Sequence, residues 1–159
     1  MIPSVRRHSA AVFLIVLAVA PGCSQDGPKL YPVTGAVGVN GKPAGGALVF
    51  LHRKGKTDMA EPTPYATAAD DGTFKILWQP GRDGATPGDY SVTVVWPDMT
   101  KTPDGNGGRP DVLRGAYEKL ATSTLTATVK AEPTNLPAFE LTLSTVQAAK
   151  PVVKDRNNK

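Results

Sequence analysis

The chain has 159 residues, 40% of them hydrophobic and 20% charged, with a single cysteine. That is enough for one domain with one core, and it excludes a fold stapled by internal disulfides. The formal net charge of +4 comes from the ends, because residues 23–149 hold 12 basic against 13 acidic residues, and this near-balance excludes the basic surface of a nucleic-acid-binding protein.

Arg6 and Arg7 precede an apolar run, Ala10 to Ala20, which ends in small residues at Ala20 and Gly22. This order is that of a secretory signal over residues 1–22. The run is well short of the roughly 20 residues that a membrane-crossing helix needs. Ala20-Pro21-Gly22-Cys23 resembles a bacterial lipobox. The resemblance implies that Cys23 is acylated and becomes the mature N-terminus, so that the membrane is a partner through the N-terminal lipid. Each buried acyl methylene contributes about 0.8 kcal/mol, and two or more chains anchor stably. The expected place is therefore the cell envelope, at the outer membrane or the periplasmic face of a membrane. Residues 23–31, polar and carrying Gly27-Pro28, read as a tether. Residues 146–159 have no apolar period and read as a disordered basic tail.

Between them, residues 32–145 read as strands. Val33, Gly35, Val37 and Val39 alternate up to Asn40-Gly41, a strong hairpin signal because both central turn residues need positive φ. Ala47 to Leu51 is a nearly continuous apolar run, as in a central strand. "YATAA" and Asp71-Gly72 announce a second hairpin, after which Phe74, Ile76 and Trp78 share a face. Tyr90, Val92, Val94 and Trp96 share another, as do Leu125, Ala127 and Val129, and finally Phe139, Leu141 and Leu143. Seven short strands with frequent turns predict an all-β, Ig-like or transthyretin-like sandwich.

Residues 97–121 break the pattern. They are rich in Gly, Pro and Asp, and exceed the ~12–15 residues beyond which a structureless loop is uncommon. Asp111 is placed to cap a short helix that turns Val112, Tyr117 and Leu120 to the sandwich. Asp98, Asp104, Asn106, Arg109 and Asp111 are the candidate ligand-binding residues, because oxygens and a guanidinium on a loop suit recognition. The alternative reading is a structural lid pinned over an open sheet edge. Calcium accepts such oxygens, but their spacing matches no EF-hand, so no metal is assigned.

"PVTGAVGVNGKPAGGALVFL", "TAADDGTFKI" and "GATPGDYSVTV" resemble the carboxypeptidase-regulatory-like, transthyretin-like β-sandwich domains. With "LRGAY" and the strands after it, the pattern is similar to small lipoproteins of this type in Planctomycetes. The resemblance implies the fold and no peptidase activity. Hydroxyisourate hydrolases share the sandwich, but they resemble one another in several histidines and a C-terminal Tyr-Arg-Gly-Ser, whereas this chain ends "DRNNK". After the signal the one histidine is His52, too few for a zinc hydrolase or a recognisable triad. The expectation is a non-enzymatic structural or protein-interaction module without cofactor. Its alternative is a carbohydrate- or cell-wall-binding domain using residues 97–121 and aromatic contacts at Trp78 and Trp96, with an envelope protein or polysaccharide as partner.

Overall fold

A computed structural model describes residues 27–55 and 61–143. The signal, Cys23, the start of the tether and the tail lie outside the described residues. The strands are β1 (Val33–Val39), β2 (Lys42–Pro43), β3 (Leu48–Arg53), β4 (Tyr65–Thr67), β5 (Thr73–Lys75), β6 (Leu77–Gln79), β7 (Arg82–Asp83), β8 (Gly88–Val95), β9 (Thr126–Val129), β10 (Thr134–Asn135) and β11 (Phe139–Leu141). They form two sheets. In the first, β1 is central: β10 and β11 run parallel to it, while β5 and β2 pair with it antiparallel. In the second the order is β7-β6-β4-β3-β8-β9, all antiparallel.

Alternation decides which residues meet between the sheets. Val33 and Val37 from β1, Val49 and Leu51 from β3, Val92 and Val94 from β8, and Leu141 from β11 are all buried in one cluster. Each such side chain stabilises the fold by about 1.5–3 kcal/mol relative to exposure. Gly35 interrupts the valines for a steric reason. A Cβ there would lie 2.5 Å from Cζ of Phe74, whose ring stacks on Phe139 with centroids 6.1 Å apart. The two phenylalanines, on strands flanking β1, thus lie across the gap that Gly35 leaves. At the start of β8 the Tyr90 hydroxyl donates to the Thr86 carbonyl at 2.7 Å, a local bond that fixes the chain's entry into the strand.

The all-β, two-sheet architecture agrees with the sequence, and several details differ. Asn40 and Gly41 take φ of 52° and 73°, as the predicted first hairpin requires. The second hairpin is not a simple one. The chain does turn at 69–72, but β4 joins one sheet and β5 the other. The strand expected over 73–78 is split around Ile76, so that β6 returns to pair with β4. The side chains still share the interior, because the period of two continues through the crossing. Two-residue strands β2, β7 and β10 were too short to leave a period. No α-helix forms among the described residues. After Asp111, Arg114 and Gly115 adopt φ of 55° and 74°, which ends any helical start, and only a 3₁₀ turn, Leu120–Thr122, follows.

The strand directions give the sandwich two ends. Val33, Arg53, Gly88, Val129 and Thr134 lie at one, here the base, which also receives Tyr31 through its pairing with Ala85. Val39, Leu48, Val95 and Leu141 lie at the other, the top, from which residues 97–110 project.

Candidate functional site

The segment 97–125 is a strap that runs back along the edge of β8. β9 covers only Gly88–Ser91 of that strand. Above this, Val92 N–H donates to Leu125 O at 2.9 Å and Val94 N–H to Tyr117 O at 3.0 Å; Trp96 O accepts from Val112 N–H at 2.7 Å. Amides and carbonyls that would otherwise form an open edge are thus satisfied by the strap. Its anchor is Leu113, 2% exposed, whereas Leu120 is 49% exposed and does not turn to the core as the sequence suggested. Tyr117 joins the two sheets. Its carbonyl serves β8, and its hydroxyl accepts from Thr142 N–H, just beyond β11, at 3.0 Å.

The candidate ligand residues shape this strap. Asp111 Oδ1 accepts from the amides of Trp96 (2.8 Å) and Leu113 (3.0 Å), and Oδ2 from Gly115 N–H (2.7 Å). Asp98 Oδ1 accepts from the Thr100 hydroxyl and amide, at 2.6 and 3.0 Å; these bonds, with Lys101 and Arg109 nearby, hold its carboxyl below the usual range. Asp104 Oδ1 accepts from Asn106 N–H at 2.9 Å and Gly108 N–H at 2.7 Å. Arg109 donates to the Lys101 carbonyl. Asp98 and Asp104 therefore close their own turns, Asp111 ties the strap to the end of β8 and Arg109 crosses the strap to Lys101, so that these groups are engaged by the backbone. Among the described residues no three His, Cys, Asp or Glu side chains are grouped as metal ligands would be. The tip itself is open, with Met99 70% exposed.

The aromatic candidates differ in position. Trp96 is half-buried, and its indole N–H donates to Gly45 O at 2.9 Å, which ties the end of β8 to the turn before β3. Trp78 is only 4% exposed and belongs to the wall of a cavity of about 150 Å³ at the base of the sandwich. Leu51 and Tyr90 also line this cavity, as do Arg53 and Glu61, whose charged atoms are 3.6 Å apart. Arg53 donates to Thr86 Oγ1 at 3.1 Å and Pro87 O at 3.0 Å, so that it is held by the same turn that receives Tyr90. Sequence reasoning missed this ion pair, whose partners come from β3 and from the segment before β4. His52 lies on the outer face, its Nε2 2.9 Å from Thr93 Oγ1. Burial pushes its pKa down, so the folded chain favours the neutral ring. Because the unfolded state then binds the extra proton, this group's contribution to stability is complete above its ordinary pKa and falls as the pH drops below it.

No family model matches the chain, and no curated protein matches it. Solved structures to which it is similar include two DUF3823 family proteins. One is a DUF3823 family protein from Bacteroides ovatus ATCC 8483, with 14% identity and a TM-score of 0.39 over 70% of this chain and 44% of that one. The other is a DUF3823 family protein from Parabacteroides merdae ATCC 43184, with 19% identity and a TM-score of 0.37 over 70% of this chain and 46% of that one. The chain thus matches less than half the length of either.

Proposed function

We propose that the chain is a non-enzymatic module of the transthyretin-like sandwich type, held at the cell envelope by a lipid on Cys23 and acting as a structural or protein-interaction element. The observation that supports this best is the strap, whose carboxylates bind backbone amides and brace a sheet edge. Such a domain offers a rigid body with one projecting tip, and the lipid supplies its location. The carbohydrate-binding alternative draws on one feature, the cavity walled by Trp78 with the Arg53–Glu61 pair, since an aromatic wall beside hydrogen-bonding charges suits a sugar ring.

The anchor is tested by expressing the full chain with its own leader and measuring its intact mass in the membrane fraction. The expected mass is that of a chain beginning at acylated Cys23, and Cys23→Ser is expected to leave an unprocessed or released form. An unmodified cysteine, or cleavage elsewhere, rejects the anchor.

A further inference from the structure

We infer that the base of the sandwich is a docking surface for anionic lipid headgroups, so that the domain stands on the membrane with the tip of its strap pointing away. This rests on the reading of Cys23 as the lipid attachment point, and it adds an orientation and a partner chemistry to that reading.

The first argument is reach. Gly27 is the fourth residue after Cys23 and lies against the Arg82 guanidinium, which donates to Pro28 O at 3.3 Å. Tyr31 is then locked to Ala85 by two backbone bonds of 3.0 Å. Four residues span at most about 14 Å even when fully extended. A lipid on Cys23 therefore keeps the base nearest to the headgroups, while the tether alone leaves the tilt of the domain and the last contact with the surface open. The eight residues of β8 run from base to top, and at the rise of a strand they place the strap tip roughly 25 Å further out.

The second argument is charge, and it is independent of the first. At the base the carboxylates have local partners: Asp83 with Lys75, Glu132 with Lys130, Glu61 with Arg53, and Asp89 with the Thr128 hydroxyl. Among the described residues, Lys29, Lys54 and Arg82 stand there against Asp89 as the one carboxylate without a cation partner, an excess of two positive charges, with Lys29 and Lys54 exposed. The top is the reverse. Among the described residues there, Asp70, Asp71, Asp98, Asp104, Asp111 and Glu140 outnumber Lys42, Lys101, Arg109 and Arg114. The domain is therefore polarised, positive where the tether enters and negative where the strap projects. An anionic surface attracts the first end and repels the second, and each nearby lysine or arginine strengthens such attraction about fivefold.

The test uses the full chain, extracted in its acylated form and reconstituted into vesicles of phosphatidylethanolamine and phosphatidylglycerol. Gln79→Cys, exposed at the base, and Asn106→Cys, exposed at the strap tip, each provide one reactive thiol for a fluorophore, because the sulfur of Cys23 is blocked by its lipid. Headgroups carrying a nitroxide are expected to quench most of the emission at position 79 and to leave that at 106 almost unchanged. Combining Lys29→Glu and Lys54→Glu, with an unchanged unfolding midpoint as the control for folding, is expected to remove most of the quenching at 79. Equal quenching at the two positions, stronger quenching at 106, or quenching at 79 that survives the charge reversal overturns the inference while leaving the anchor intact. If the intact mass shows Cys23 without acyl chains, the anchor and the orientation built on it both fall.

Discussion

The interior of the sandwich and the strap on its edge are held by different physics. Inside, side chains from β1, β3, β8 and β11 are buried by alternation, and the binding force is removal of apolar surface from water. Along the strap, apart from Leu113, few residues are buried, and shape comes from carboxylates that accept backbone amides two to four residues away, or across to β8. A region of the first kind tolerates polar change on its outer face and fails when its interior loses volume. A region of the second kind is insensitive to volume and fails when an acceptor is lost.

The largest expected effect therefore lies in the interior. Leu51 is fully buried at the centre of the six-stranded sheet, with Val92 opposite it on β8. Leu51→Ala is expected to destabilise by about 2–5 kcal/mol, read as a lower urea midpoint with little change in slope. If the loss were below about 1 kcal/mol, the contrast would break, because the interior would then be no more demanding than a surface site.

A middle-sized effect is expected at Asp111. Its carboxylate receives three amides, including that of Trp96 at the end of β8, so Asp111→Ala leaves a part-buried cluster of donors without their acceptor. The expected destabilisation is about 1–3 kcal/mol. Asp104→Ala, which releases two exposed amides at the tip, is expected to change stability by no more than about 0.5 kcal/mol. Equal effects at the two positions would mean that the strap is not attached to the sheet through Asp111.

How much of this was legible beforehand follows the same division. Period-two burial is written into single strands, so Val33, Val37, Phe74, Tyr90 and Leu141 were readable as interior from spacing alone, whereas the continuous run Ala47 to Leu51 did not show that Val49 and Leu51 are its inward residues. Sheet membership was not readable for β5 and β6, because the apolar period runs unbroken through Ile76 while the hydrogen-bond partners change from β1 to β4. In the strap, the Asp-rich, Gly-rich composition announced turns, but which amide each carboxylate would accept depends on β8 lying beside it. The helix expected after Asp111 was a reading of that residue as a cap. It does cap, since its Oδ1 accepts Leu113 N–H, but Arg114 and Gly115 in left-handed conformations divert the chain at once. The Arg53–Glu61 pair and the charge polarity between base and top are properties of assembly, which no local window of sequence contains.

The smallest expected effect concerns the tip alone, and it separates bracing from recognition. Residues 104–108 close on themselves: Asp104 N–H donates to Gly108 O at 2.7 Å and Gly107 N–H to Asp104 O at 2.9 Å, so the two ends of the excursion lie side by side. Below it, Asp98 N–H donates to Pro110 O at 2.8 Å and Pro97 pairs with Asp111, which closes the strap independently of the tip. Replacing residues 102–108 with two glycines therefore spares Asp111, Leu113 and Tyr117. The entropy of a somewhat shorter loop changes by only a fraction of a kcal/mol. The expected unfolding midpoint is that of the parent chain within error, and a clear loss of stability would assign bracing to the tip as well. With stability unchanged, capture of envelope components by the acylated parent and by the shortened chain decides the tip's role. Partners lost on shortening mark the tip as the contact surface, held away from the membrane by the length of β8. An identical set of partners in both confines the strap to covering the sheet edge.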